Sequence, residues 1–324
     1  MRDDAAKPAR LPRRALHGVL LLDKPLGWSS NDALQKVKGL LRAQKAGHTG
    51  TLDPLATGLL PLCFGAATKF AQVSLDADKH YEATLQLGEC REGGDREGAV
   101  ISRAPVHVQL ADISAACAAF TGAITQTPPM QSALKVDGRA LYTYARQGQT
   151  VAREPRAVTI HALEVLTWVP ELALLTLGVR CSKGTYVRTL AEDIGTHLGC
   201  GAHLAALRRT GSGALNVAAA ITLDALQAMP DEARLAHLMP PDCLLADWPL
   251  LQLPETEAAR FLAGQRRRVN LPDAPQVRVY GPEPHALLGS AHLQGGELIA
   301  DRLLSPPEVA ALLMNPYSRT ESLS

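Results

Sequence analysis

The sequence predicts a mixed α+β protein. Runs with strand character and runs with helical periodicity alternate along it, but without the regular βα cadence of a doubly wound parallel sheet. Hydrophobic residues make up 46% of the 324 positions, enough for a proper core, yet no run reaches the ~18 apolar residues that a bilayer crossing needs. From Trp248 onward the character changes to short β-like runs, which sets a domain boundary near 245–250.

Residues 1–16 carry five basic side chains and two prolines and read as a flexible basic arm. His17 to Leu22 reads as a short buried strand, ended by the turn cluster Asp23-Lys24-Pro25-Leu26-Gly27. Ser29 or Ser30 can N-cap a helix running to about Arg42, with Ala33, Leu34, Val37, Leu40 and Leu41 on one face. A strand at Leu59–Phe64, a helix at Ala66–Leu75 and a strand from about His80 to Leu87 follow. A second glycine-rich loop spans 88–98, and Ala111–Phe120 is an alanine-rich helix. Val158–Val169 and Leu172–Cys181 are strand-like about a turn at Pro170-Glu171, and the helix opened at Ser182–Thr189 ends near Leu198-Gly199. Leu204–Arg209 reads as a strand with two adjacent arginines, 221–245 as helical and acidic, and Val277–Tyr280, Ala286–Leu293 and Leu298–Leu304 as strands. Residues 315–324 read as a tail.

Composition narrows the function. The apolar run Gly18–Leu22 is stopped by Asp23 and Lys24, with no small-residue cleavage site, so a cytoplasmic location is expected. Six scattered cysteines without Cys-x-x-Cys spacing argue for reduced thiols and no metal site. The net charge of +1 hides an asymmetry: residues 1–48 hold ten Lys/Arg against four Asp/Glu, whereas 221–260 hold seven acids against two bases. A polyanionic partner suits the basic part. Residues 124–156 repeat that signal, with Lys135, Arg139, Arg146, Arg153 and Arg156 interleaved with Tyr142 and Tyr144.

The densest chemistry lies in Gly47-His48-Thr49-Gly50-Thr51-Leu52-Asp53-Pro54-Leu55-Ala56-Thr57-Gly58. Proline disfavours the helical region for the residue before it, so Asp53 is expected on a rigid, irregular loop. Around it, nine segments in order over residues 18–209 resemble the TruB-type tRNA pseudouridine-55 synthases. They are Gly18–Pro25, Ser29–Asp32, the Gly47–Gly58 loop, Ala67–Phe70, Lys79-His80-Tyr81, Ser132–Lys135, Cys181–Arg188, Gly199–His203 and Leu207-Arg208-Arg209. One departure stands out. The family has Thr-x-Thr-x-Asp in the second loop, and here Arg91 and Gly93 take the threonine places while Asp95 is retained.

The resemblance implies a mainly antiparallel mixed sheet with flanking helices and a central cleft over 17–245. It also implies an RNA-gripping insertion at about 124–156 and a small PUA-like RNA-binding domain at 249–305. The implied reaction breaks and remakes the bond between a uracil and its ribose within the T-arm of tRNA, which calls for neither cofactor nor metal. Asp53 is then the nucleophile, as carboxylates are in retaining glycosidases. Arg188 would pair with it and favour its charged form. Tyr81 would stack on the base, with its hydroxyl as a possible general base, and Tyr186, two residues before Arg188 and on the same side if both lie on a strand, would extend the pocket wall with Leu207. His48 would fill the space left by flipped bases. Asp95 would position RNA, Lys24 would support the loop, and Lys135, Arg139, Arg146, Arg208 and Arg209 would grip phosphates. A monomer is the expected state.

Two other readings fit parts of the pattern. An RNA-binding or tRNA-folding module without catalysis would keep the basic surfaces, but the retained Asp53, Tyr81 and Arg188 argue against it. A glycoside hydrolase would pair Asp53 with Asp95 and need an aromatic sugar platform, which a chain with 4% aromatic residues serves poorly.

Overall fold

The computed structural model describes residues 12–132, 134–282 and 286–314. Most of the expected basic arm and the expected tail at 315–324 lie outside the described residues. In chain order the first strands are β1 (Gly18–Lys24), β2 (Ala46–His48), β3 (Ala56–Phe64), β4 (Lys79–Leu87), β5 (Glu89–Arg91), β6 (Val100–Arg103) and β7 (Gly122–Gln126). Then come β8 (Lys135–Val136), β9 (Arg139–Ala140), β10 (Arg156–Val169), β11 (Leu174–Cys181), β12 (Ala202–Ser212), β13 (Leu215–Asn216) and β14 (Ile221–Thr222). Helices among them are α1 (Ser30–Leu40), α2 (Ala71–Asp76), α3 (Leu110–Ala119), α4 (Leu141–Ala145), α5 (Val187–His197), α6 (Leu223–Ala228) and α7 (Asp231–Leu235).

One ten-stranded sheet carries the order β14-β1-β3-β12-β4-β11-β10-β7, with β2 on β3 and β13 on β12. Only β1–β14 and β3–β12 pair in parallel. The sheet's burial follows the period of two. On β4 and β11, Ala83, Leu85, Leu175, Leu177 and Val179 point into a core covered by α3 and α5. Their neighbours Thr84 and Thr176 face the other way, with hydroxyls 3.1 Å apart. At β1 and β3 both faces are covered, so Val19–Leu22 and Leu59–Phe64 are apolar without a break. Leu20, Leu22, Leu60 and Leu62 meet α1 and α6, whereas Val19, Leu21, Leu59 and Cys63 face a third core.

That third core is completed by the C-terminal part of the chain. There β15 (Leu250–Gln252), β16 (Arg267–Arg268), β17 (Ala274–Tyr280), β18 (Leu287–Gln294) and β19 (Glu297–Leu303) form a second sheet in the order β15-β17-β18-β19-β16, with α8 (Glu255–Leu262) and α9 (Pro306–Met314). The second sheet has its own core around Phe261, Val279 and Leu298. It also lends Tyr280, Leu287, Leu304 and Leu312 to cover β1 and β3. Lys69 seals the junction, donating to the Leu303 carbonyl and pairing with Glu308 at 2.6 Å, as does the Tyr280–Asp242 hydrogen bond. A cavity of about 510 Å³ lined by Lys69, Ser74, Ser212, Trp248 and Arg302 lies at this junction, and neither Asp53 nor Arg188 lines it. Among the described residues no helix is long and apolar enough to cross a membrane.

Several sequence expectations need correction. Ala66–Leu75 is a 3-10 turn (Gly65–Lys69) and then α2, broken at Phe70, whose ring is buried in the third core. The segment 221–245 is two short helices and a 3-10 turn, interrupted at Pro230 and Pro240. Tyr186 and Arg188 do not share a strand: Tyr186 is the N-cap of α5 and Arg188 is on its first turn. The Gly47–Gly58 stretch is loop only from Thr49 to Leu55, since β2 ends at His48 and β3 begins at Ala56.

Gly58 marks the point of closest approach between β3 and β12. Its φ is +97°, and a Cβ there would lie 2.3 Å from the Arg209 carbonyl oxygen. Gly58→Ala is expected to cost about 2–5 kcal/mol through left-handed strain plus overpacking, read as a lowered denaturation midpoint, and to displace the loop that precedes β3.

Candidate active site

The loop bearing Asp53 is held from both sides of the sheet. Leu52 is buried in the core under α1, whereas Leu55 is buried in the core under α5. Asp53 therefore straddles the seam between two cores, with its side chain 43% exposed. Tyr81 on β4 and Leu207 on β12 each touch both cores, so they line the same seam. The backbone is pinned at several points. Ser30, at the start of α1, donates to the Leu52 carbonyl at 3.0 Å and accepts from the Leu52 amide at 2.7 Å. Gly27 N–H donates to the Pro54 carbonyl at 2.8 Å, and Ser74 donates to the Thr49 hydroxyl at 2.9 Å.

Arg188 faces this loop from the N-terminal turn of α5. Its Nη2 lies 3.0 Å from Asp53 Oδ2 and its Nη1 3.6 Å from Asp95 Oδ2. The guanidinium also donates to the carbonyls of Gln131 at 2.7 Å and Gly93 at 3.3 Å. A buried guanidinium is tolerable only when it is hydrogen-bonded and its charge is paired; here two carbonyls accept from it and two carboxylates lie within ion-pair distance. The helix start that aims Arg188 is itself clamped. Gln126, at the end of β7, accepts from the Tyr186 amide at 3.0 Å and donates to its carbonyl at 3.2 Å. Further along α5, the Glu192 carboxyl packs on Gly94; burial raises its pKa, Asp193 adds to this, and Arg188 opposes it.

The second loop brings Asp95 to the same guanidinium despite its altered sequence. Asp95 is buried, bridges Leu204 on β12, and accepts from the Glu97 amide at 3.0 Å. So engaged, it is poorly placed as the second carboxyl of a glycosidase.

Two arginines expected to grip phosphates do other things. Arg209 is 1% exposed; it donates to the carbonyls of Leu59 at 2.7 Å and Gly50 at 3.2 Å, so it props the Asp53 loop from below. Arg208 is neutralised by a two-point ion pair with Asp23 at 3.0 and 2.7 Å, which spans β3 and raises its pKa. Lys24 has the supporting place expected of it. Its buried ammonium donates to the carbonyls of Pro25 and Trp28, holding the turn whose Gly27 meets Pro54, and burial pushes its pKa down to about 8 against the pull of Asp53. Lys135, Arg139 and Arg146 are exposed on β8, β9 and the end of α4. Arg139 lies over the Tyr144 ring and Arg146 over the Tyr142 ring at 5.8 and 5.4 Å.

Burial raises the Tyr81 pKa, and the nearby Arg209 only partly offsets this, so the phenol is protonated near neutrality. Burial and then the Arg209 charge lower the pKa of His48. Ser30, Gln126 and Gln131 were missed as supports, although the doubled serine and the Gln126-Thr127-Pro128-Pro129 run were the available signals.

The chain matches the family models described as TruB family pseudouridylate synthase (N terminal domain) over residues 38–187, tRNA pseudouridylate synthase B C-terminal domain over 188–246, and Pseudouridine synthase II TruB, C-terminal over 249–304. It is 57% identical over 321 residues to the tRNA pseudouridine synthase B of Verminephrobacter eiseniae, covering 98% of this chain and 97% of that relative. It is 58% identical over 306 residues to the protein of the same name from Cupriavidus pinatubonensis, covering 92% and 97%. The fold resembles a solved Cbf5-Nop10-Gar1 complex, with a TM-score of 0.71 at 24% identity over 94% of this chain and 88% of that one. The chain belongs to the TruB family of pseudouridylate synthases.

Two outcomes follow. Ser30→Ala removes the partner of two buried backbone groups and is expected to cost about 1–3 kcal/mol in chemical denaturation. His48, followed by the NMR titration of its ring protons, is expected to titrate below its usual 6.5. With the folded pKa depressed, the contribution of His48 to stability is fully present above pH 6.5 and is lost as the pH falls through the folded value.

Proposed function

We propose that this chain converts uridine to pseudouridine at position 55 in the T-loop of tRNA, acting as a monomer in the cytoplasm. The observation that carries the reading is the solvent-facing Asp53 carboxylate paired with the buried Arg188 at the seam that Tyr81 and Leu207 line. A partly exposed nucleophile backed by a buried cation suits a reaction in which positive charge develops on the sugar as the bond from C1′ to N1 of uracil breaks. Asp53 supplies the carboxylate that meets this charge. The uracil turns, C1′ bonds to C5, the proton leaves C5, and N1 ends protonated, so atoms balance without redox chemistry.

The uridine must leave its stack to reach Asp53. Tyr81 offers a ring for the base to stack upon, with Leu207 and Tyr186 beside it. The neutral His48 ring, on the strand leading into the Asp53 loop, is suited to fill the space the base leaves. Asp95 orients the nucleotide from the second loop. The exposed Lys135, Arg139 and Arg146 grip phosphates, the two arginines with their guanidinium groups held over tyrosine rings. The segment 249–305 adds a further RNA-facing domain of PUA type. No step requires a metal or an organic cofactor.

The test is incubation of unmodified tRNA with the wild type and with Asp53→Asn, followed by mapping of pseudouridine. Modification at the T-loop uridine by the wild type, with at least a ~10³-fold loss in the variant at equal RNA affinity, is expected. Tight binding without modification by either protein would replace the reading with an RNA-binding or RNA-folding role.

A further inference from the structure

The second loop lacks the threonines that the family places there, yet Asp95 still reaches Arg188. The strut is visible in the hydrogen bonds. Arg91, at a threonine position, sends Nη1 into the loop and donates to the carbonyls of Arg96 and Gly98, both at 3.1 Å. Its Nε donates to Glu89 at 2.6 Å, and Arg103 donates to the other oxygen of the same carboxylate at 2.7 Å, so the guanidinium plane is fixed from behind. The Arg96 residue is thereby held from two sides, because its amide donates to the Leu204 carbonyl on β12 at 3.1 Å. Asp95 immediately precedes the anchored Arg96; its Oδ1 accepts from the Glu97 amide and its Oδ2 faces Arg188.

The remaining space is filled by side chains from outside the loop. At Gly93, the other threonine position, φ is +79° and a Cβ would fall 2.3 Å from Oε1 of Gln131. A Cβ on Gly98 would fall 1.7 Å from the Glu92 carbonyl oxygen, so the neck of the loop closes without room for a side chain. The neck is further tied by Glu92 N–H to the Ala99 carbonyl and by Gly98 N–H to the Asp95 carbonyl. A threonine hydroxyl has a single proton to donate, so it could serve only one of these carbonyls. The forked guanidinium takes two carbonyls and a carboxylate at once.

We infer that Arg91 is a positioning residue of the reaction proposed above: by clamping the carbonyls of Arg96 and Gly98 it holds Asp95 against Arg188, in place of the threonines this loop lacks. The inference rests on that functional reading for its kinetic consequence, but not for the clamp itself. Arg91 acts through Asp95 and makes no contact with RNA.

The experiment compares Arg91→Met, Arg91→Lys, Asp95→Asn and the Arg91→Met/Asp95→Asn double variant with the wild type. The first readout is amide hydrogen exchange. In Arg91→Met, exchange of residues 92–98 is expected to rise at least tenfold while that of β4 is unchanged. The second is single-site kinetics on tRNA. Arg91→Met is expected to lower kcat tenfold or more with KM within twofold, and Arg91→Lys to recover part of the loss. In the Asp95→Asn background the same substitution should cost less than twofold, since the group it positions is gone. Unchanged exchange overturns the inference, as does a full multiplicative loss in the double variant. A raised KM with a shallower salt dependence also overturns it, because that is the signature of a lost phosphate contact. A wild type that leaves tRNA unmodified defeats the functional reading itself, and with it the kinetic half of the inference, independently of residue 91.

Discussion

The Arg188 guanidinium is the point at which four separate parts of the chain agree. The Asp53 loop, the second loop with Gly93 and Asp95, the segment after β7 at Gln131, and α5 itself all meet there. A cation only 6% exposed cannot lose a partner cheaply; leaving such a charge uncompensated typically costs about 3–5 kcal/mol. That penalty makes the arrangement close to all-or-none. The loops are drawn to the guanidinium because it has no water to turn to, and the partly exposed Asp53 carboxylate is fixed as part of the same settlement.

The sheet supplies what the arginine alone could not. Because β3 runs parallel to β12 and antiparallel to β1, the loop before β3 emerges between two helical layers, and Leu52 and Leu55 can be buried on opposite sides of it. Asp53-Pro54 is the span left over, stretched across the seam. Charge near it is arranged in depth: Arg209 and Lys24 below are spent on carbonyls, whereas Arg188 alongside meets the carboxylate directly. The same residue type thus serves scaffold and site, separated by burial and by the partner each finds.

Much of this was legible in the chain. The elements around β1, β4, β10 and β11 follow from period-two burial and turn residues, and the class of fold from their irregular alternation. Asp53 and Arg188 stood out through the surrounding motif pattern. What the sequence hid was which cations are satisfied internally. Leu207-Arg208-Arg209 reads as a basic strand, but alternation sends Arg209 inward to backbone carbonyls, and Asp23, two strands away, takes Arg208. Such pairings span about 150–185 residues and leave no local trace. Tyr186 and Arg188 would share a side only on a strand; the segment opens a helix, as the reading of Ser182–Thr189 has it, and the Gln126 amide holds Tyr186 at its start. The departure at Arg91 and Gly93 was visible, but its compensation was not, since Gln131 reaches the loop only through the fold.

The shared core between the two sheets bears on how the protein comes into being. Val19 and Leu21 leave the ribosome about 260 residues ahead of Tyr280, Leu287 and Leu304, which cover them. Between the synthesis of residue 245 and that of Tyr280, the first sheet has all its strands while one apolar face still lacks its last cover. Synthesis of the chain therefore leaves that face incomplete for the time taken to make the C-terminal sheet. The last strands to be made are the ones that end that exposure.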